Sequence, residues 1–156
     1  MNRQQGFGAI AAILIVVILA ALAAAIVSIS TTQQVTSAQD VMSARAWQAA
    51  RAGNEWGLYK ALSIATPTDT WKTCPNDLAG LSQTLDLTSE TGFHVTVTCE
   101  SWPYREGESV PGMPQPVRVY RITAVACPAA TCPVNDASAA GIGYIQRTRM
   151  VLATDK

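Results

Sequence analysis

The chain has 156 residues, a formal net charge of zero and only 14 % charged residues. This length allows one domain of ordinary size together with a membrane segment. The low charge argues against a nucleic-acid-binding protein, which needs a concentrated basic stripe, so we predict no nucleic-acid partner. The charges are also unevenly placed, because no Lys, Arg, Asp or Glu occurs from Gln4 to Gln39.

An unbroken apolar segment runs from Phe7 to Val27. As a helix it is about 31 Å long, which matches the hydrocarbon core of a bilayer. Lipid makes such a segment helical, because its backbone groups find no water to bond. Arg3 precedes the segment and the next basic residue is Arg45, so the positive-inside tendency predicts a cytoplasmic N-terminus and an exported C-terminal part.

The alternative interpretation of this segment is a cleaved secretory signal, with a small-residue cleavage site at Ala23-Ala24-Ala25. The apolar run is longer than the usual apolar region of such signals, which has about 7–15 residues. The leader holds a single basic residue, and the helical pattern continues past the proposed cleavage site. These features favour a retained transmembrane helix.

The helical pattern continues as an amphipathic segment, and no proline occurs before Pro67. Alanine-rich sequence with recurrent apolar positions favours a helix, so we predict one helix from Phe7 to Leu62. Gly53 and Gly57 form a smooth strip suited to close packing. Trp56, like Trp47, is predicted to be an anchor in the core or between subunits.

Alternating apolar and polar residues predict three strands at 93–99, 117–127 and 143–152, and a short one at 85–87. The first places Phe93, Val95, Val97 and Cys99 on one face. The connection from Glu100 to Gln115, rich in proline and glycine, is predicted to be a long irregular loop that is exposed and carries recognition. The predicted fold class is therefore α+β, with a long helix packed on a small antiparallel sheet.

Four cysteines, Cys74, Cys99, Cys127 and Cys132, lie in the part predicted to be exported. They should be oxidised there, and three pairings are possible. The short, proline-bearing CPAATC segment favours Cys127 with Cys132, which leaves Cys74 with Cys99. The rival is a zinc site, but these spacings lack the paired CxxC pattern of zinc ribbons, so we expect no metal and no cofactor.

Few residues suggest catalysis, and we predict that the protein is not an enzyme. His94 is the sole histidine and is predicted to be a strand residue that faces solvent or a loop. Glu106 and Glu108 are predicted to lie in a solvated turn. Glu55 is predicted to be solvated or paired with Arg51, four residues earlier on the helix.

The short leader ending at Gly6, the junction with Phe7 and the long helix leading to a disulfide-bearing sheet resemble type IV pilins and pseudopilins. The segment SARAWQAARAGNEWGLYKAL is similar to that of PilX-like minor pilins and of the group involved in biogenesis of the mannose-sensitive haemagglutinin (MSHA) pilus. The resemblance divides the chain into a leader (1–6), a transmembrane helix (7–27), an amphipathic helix (28–62) and a β-rich periplasmic domain (63–156).

The resemblance implies a subunit that is stored in the bacterial inner membrane with its C-terminal domain in the periplasm. A prepilin peptidase would cut after Gly6 and methylate Phe7. The implied partners are membrane lipid, other pilin-like subunits and the inner-membrane assembly platform. Burial of the apolar helix among sister helices would then replace its burial in lipid.

One position departs from the family pattern. The usual fifth mature residue is glutamate, which compensates the terminal amine of the neighbouring subunit, and here it is Ala11. An unpaired buried amine is costly, so this departure favours a minor subunit at a filament tip or in initiation. Four residues are predicted to take part in assembly: Ala11, Gly53, Trp56 and Gly57. The alternatives are an adhesin displayed at the tip, or a membrane-anchored periplasmic protein unrelated to pili.

Overall fold

A computed structural model of the chain describes residues 5–65, 68–76, 80–141 and 143–155. Within residues 5–7 and 28–32 only the backbone is described. Two compact units are present, Met1–Asp40 and Val41–Lys156. Helix α1 spans Gln5–Leu62, which confirms the predicted helix and begins it two residues earlier.

The first unit contains an apolar part of α1, Gly8–Val27, which is long and apolar enough to cross a membrane. Its large side chains are exposed, with exposed fractions from 50 % at Ile18 to 68 % at Ile10. A helix that is apolar all round is stable only where its whole surface is covered by lipid or by other protein. The chain therefore has one candidate membrane span within its described residues.

The second unit contains one antiparallel sheet of four strands in the order β1-β2-β3-β4. Its strands are β1 (Leu81–Leu87), β2 (Phe93–Val110), β3 (Met113–Cys127) and β4 (Arg147–Thr154). The strand predictions are confirmed in order and type, although β1 begins earlier and β4 begins four residues later than predicted. The α+β class is confirmed.

The α1 segment of this unit packs on one face of the sheet. Small residues line that side of the helix, and the facing strands supply both large side chains and the alanines of β3. The alternation predicted for β2 is observed, since Phe93, Val95, Val97 and Cys99 are buried while the residues between them are half-buried. The core consists mainly of Ala46, Ala49, Ala50, Ala61, Phe93, Val95, Val97, Ile122, Ala124 and Ala126.

The prediction of an irregular loop from Glu100 to Gln115 is wrong. β2 and β3 continue as a paired two-stranded ribbon as far as Val110 and Met113. The ribbon closes at Pro111-Gly112, and Gly112 has a φ of 83°. Proline followed by glycine with positive φ suits a tight turn of type II. The ribbon therefore ends in a defined turn.

The prolines of the ribbon are tolerated because their backbone nitrogens face outward. The backbone N–H of Arg118 points away from β2, since it donates to the Asp155 carboxylate at 2.9 Å. Pro116 and Pro114 lie two and four residues earlier on the same strand, so their nitrogens share this direction. A proline at an outward position removes no ladder hydrogen bond, and it protects the edge from further pairing.

Candidate functional site

The apolar helix and its leader junction are the first candidate for function. Gly6 and Phe7 lie in the first turns of α1, and their side chains are outside the described part. Ala11 is described and is half-buried. The first turn of α1 contains no acidic residue, and none precedes Asp40 in the sequence. Cleavage after Gly6 and methylation of Phe7 thus remain predictions from sequence.

Gly53 and Gly57 pack within the chain. A Cβ added to Gly53 would lie 2.6 Å from Val95 Cγ1, and one added to Gly57 would lie 2.6 Å from Ile122 Cγ2. Both distances are far below van der Waals contact. Glycine at these positions therefore lets α1 approach the sheet closely, and any role in subunit assembly stays a prediction.

Trp56 joins α1 to the segment that follows it. Its ring meets the buried Trp71 edge to face, with centroids 4.9 Å apart. Asp69 holds Trp71 in place, because its carboxylate accepts a hydrogen bond from the Trp71 backbone N–H at 3.1 Å. Asp69 also pairs with Lys60 at 3.0 Å. The four residues form one closed cluster, and sequence patterning identified only Trp56 as an anchor.

The Asp69 carboxylate makes the stability of this cluster depend on pH. Its hydrogen bond from the Trp71 N–H, and then its bond to Lys60, hold its pKa below the ordinary value of 3.8. A carboxyl pKa that is lowered in the folded state stabilises the fold at pH values above the ordinary pKa. This stabilisation is lost as pH falls through the folded-state pKa. We expect Asp69→Asn, which can still accept from Trp71, to show a smaller fall in melting temperature than wild type between pH values of about 5 and 2. Melting curves across that pH range test this, and an unchanged pH profile would contradict it.

Two disulfides join Cys74 to Cys99 and Cys127 to Cys132, the connectivity favoured by the sequence. The first links the segment after α1 to β2, and both of its cysteines are buried. The second closes a short loop that lies on β2, where the Cys132 N–H donates to Thr96 Oγ1 at 3.0 Å. Among the described residues no cysteine is free.

The residues considered for catalysis are dispersed. His94 is half-buried on β2, and its Nε2 lies 3.8 Å from Asp86 Oδ1 on β1. Glu106 and Glu108 are exposed in the ribbon, and Glu108 accepts from the turn N–H of Gly112 at 3.0 Å. Glu55 pairs with Arg51 at 2.9 Å, as predicted. Across the described ranges, no three His, Cys, Asp or Glu side chains are grouped to hold a metal.

A cleft of about 610 Å³ lies at the C-terminal end of α1. Its polar groups bond to the chain itself: the Lys72 amine donates to the Ser63 carbonyl, and Arg118 donates to Ser101 Oγ at 2.9 Å. The Tyr120 hydroxyl donates to the Lys72 carbonyl at 2.7 Å, and burial raises the pKa of this phenol. These three polar side chains are therefore already hydrogen-bonded within the chain.

The exposed ribbon is the second candidate for function. Beyond the sheet it has only two strands, since β1 pairs no further than Cys99 and β4 no further than Val119. Every residue from Pro103 to Pro114 is exposed. Tyr104, Val110 and Met113 expose 56 %, 57 % and 65 % of their surface. An isolated two-stranded ribbon is marginally stable in water, and these apolar side chains are exposed on it.

No family model matches this chain, and no curated protein or solved structure matches it at a significant level.

Proposed function

We propose that this protein is a minor pilin or pseudopilin, stored in the bacterial inner membrane and used in the biogenesis of a type IV pilus of the MSHA type. The observation that carries the proposal is α1, in which an apolar membrane-length part and a part packed on a disulfide-bearing sheet belong to one helix. This combination suits a subunit that is first held by lipid and later by sister helices.

The leader supplies the second support. Arg3 and the glutamines before Gly6 keep the front of the chain polar, and the apolar segment begins immediately after them. In the proposed function, prepilin peptidase removes residues 1–6 and methylates Phe7. The mature helix would then carry no side-chain charge before Asp40, which allows it to leave lipid for a filament whose interior is apolar.

Ala11 favours a place at the tip or in initiation. A subunit in the filament body needs an acid near this position to neutralise its neighbour's terminal amine, because an unpaired buried charge is costly. A subunit at the tip has no neighbour above it that would require such an acid. The partners in this proposal are other pilin-like subunits and the inner-membrane assembly platform.

The substitution Ala11→Glu tests the tip assignment. We expect no increase in the amount of this protein in sheared filaments relative to the main subunit. A slight loss of membrane storage is expected as well, because a carboxylate in an apolar span costs up to about 3 kcal/mol. Ala12→Glu is the matched control, since it adds the same charge one position away. A several-fold rise for Ala11→Glu alone, with the protein spread along the filament, would contradict a tip role.

An adhesin displayed at the tip is the second candidate, and the exposed ribbon favours it. Tyr104, Val110 and Met113 give the ribbon an apolar surface that the chain itself leaves uncovered. Deletion of the gene distinguishes the candidates. Loss of filaments supports an assembly subunit, whereas intact filaments that no longer attach support an adhesin.

A further inference from the structure

Two arginines lie close together on the edge strand of the sheet. Arg147 and Arg149 are two residues apart on β4, so they share one face of the strand, about 7 Å apart along it. Their partners on β3 are Ala126 and Ala124, which are fully buried. Because these alanines are small, the neighbouring strand offers the arginines no polar side chain, and both reach toward α1.

Uncharged residues of α1 hold the two guanidinium groups. Arg147 donates through Nε to Ser43 Oγ at 2.9 Å, and its Nη2 donates to the same oxygen. The Arg149 guanidinium carbon lies 4.4 Å from the centre of the Trp47 ring, which is 43 % exposed. Ser43 and Trp47 are one helical turn apart, so α1 presents both supports side by side. The arginines are thus oriented without being neutralised.

Two other arginines, one on the sheet and one on the helix, have carboxylate partners. Arg121 pairs with Glu100 at 2.6 Å and Arg51 pairs with Glu55 at 2.9 Å. In the described part of the chain no carboxylate lies within 4.0 Å of Arg147 or Arg149. Two like charges at this spacing repel each other, and one acidic ligand that contacts both would relieve the repulsion.

From these contacts we propose that Arg147, Arg149 and Trp47 form a binding site for an extended, acidic segment of a partner protein. The segment would place two carboxylates two residues apart, one on each guanidinium, since arginine matches a carboxylate with two parallel hydrogen bonds. Its backbone would lie along the outer edge of β4. This proposal goes beyond the function proposed above and holds whether or not the chain is pilin-like.

The edge of β4 favours a polypeptide over a lipid headgroup or a nucleic acid. β4 pairs only with β3 among the described residues, and it contains no proline or bulge that would block a further strand. An unprotected edge next to two oriented cations offers both backbone pairing and side-chain recognition, which is the pattern of strand addition. The ribbon differs in this respect, because Pro103, Pro114 and Pro116 interrupt its edges.

The test measures binding of a short blocked peptide, Thr-Glu-Val-Glu-Val-Thr, to the full chain in zwitterionic nanodiscs. We expect binding that weakens as salt is raised and that falls by about tenfold or more in the double variant Arg147→Gln/Arg149→Gln. The matched control is Arg45→Gln, an exposed arginine on α1, which should bind as wild type does. The corresponding peptide with Gln in place of Glu should bind weakly to every variant.

A charge swap separates loss of the site from loss of the fold. The double variant Arg147→Glu/Arg149→Glu should lose the glutamate peptide and gain binding of Thr-Lys-Val-Lys-Val-Thr, which a misfolded chain would not do. Equal binding of the glutamate and glutamine peptides would overturn the proposal. So would binding that Arg147→Gln/Arg149→Gln leaves unchanged, or binding by wild type to anionic lipid vesicles but not to the peptide.

Discussion

Removal of the Cys74–Cys99 disulfide by the double substitution Cys74→Ala/Cys99→Ala should lower the free energy of unfolding by about 3.5 kcal/mol. The two cysteines are 25 residues apart in sequence, and the chain entropy released in the unfolded state grows with the length of the closed loop. Both are buried beside β2. Urea denaturation of the full chain in detergent micelles, followed by tryptophan fluorescence, measures the change.

The second disulfide is the matched control. Cys127 and Cys132 are 5 residues apart, so the same relation gives a loss of only about 2 kcal/mol for Cys127→Ala/Cys132→Ala. The first pair should therefore contribute more than the second. Equal losses, or free thiols in the denatured and unreduced protein, would contradict it.

The double substitution Gly53→Ala/Gly57→Ala should also destabilise the fold, although alanine is the better helix former. Each alanine gains about 0.5–1 kcal/mol of helix propensity. Each also places a methyl group 2.6 Å from a buried side chain, and overpacking of a close-packed core typically costs about 1–3 kcal/mol. The steric effect should prevail because Val95 and Ile122 are fully buried and have little room to move. We expect a net loss of about 2 kcal/mol, measured by the same denaturation.

A double-mutant cycle identifies the contact responsible. Val95→Ala removes the methyl group that a Cβ at Gly53 would strike, so Gly53→Ala/Val95→Ala should be less destabilised than the sum of its single substitutions. Ala52→Gly is the control for helix propensity, since Ala52 is exposed on the same helix. Additive losses in the cycle would show that the glycines do not serve close packing.

The sequence predicted the helix and the order of the strands because their signals are local. An apolar run, as in α1, and an alternation of apolar and polar residues, as in β2, can each be recognised within a short window of the sequence. The ribbon has no such local signal, because Pro103, Pro111 and Pro114 within a short window predict an interruption of the strands. Their tolerance depends on which way each backbone nitrogen faces, and that is fixed by pairing with a distant strand.

The candidate sites also differ in whether adjacent residues of the sequence reveal them. The leader junction at Gly6 is a feature of adjacent residues and can be identified from sequence alone. The pair formed by Arg149 and Trp47 joins residues that are far apart in the chain, so only the packing of α1 beside β4 brings them together. Trp71 was missed for the same reason, since its contact with Trp56 depends on the turn that Asp69 caps.

The N-terminus of the mature protein tests the proposal that this chain is a pilin-like subunit. Intact-mass measurement of the protein extracted from bacterial membranes, with a Gly6→Val variant as the control for cleavage, reports where the chain begins and whether it is methylated. We expect a chain that starts at Phe7 with one added methyl group, and an uncut precursor for Gly6→Val. A chain that starts near Ile26 would identify a secretory signal, and a wild-type chain that keeps its leader would equally contradict a pilin-like subunit.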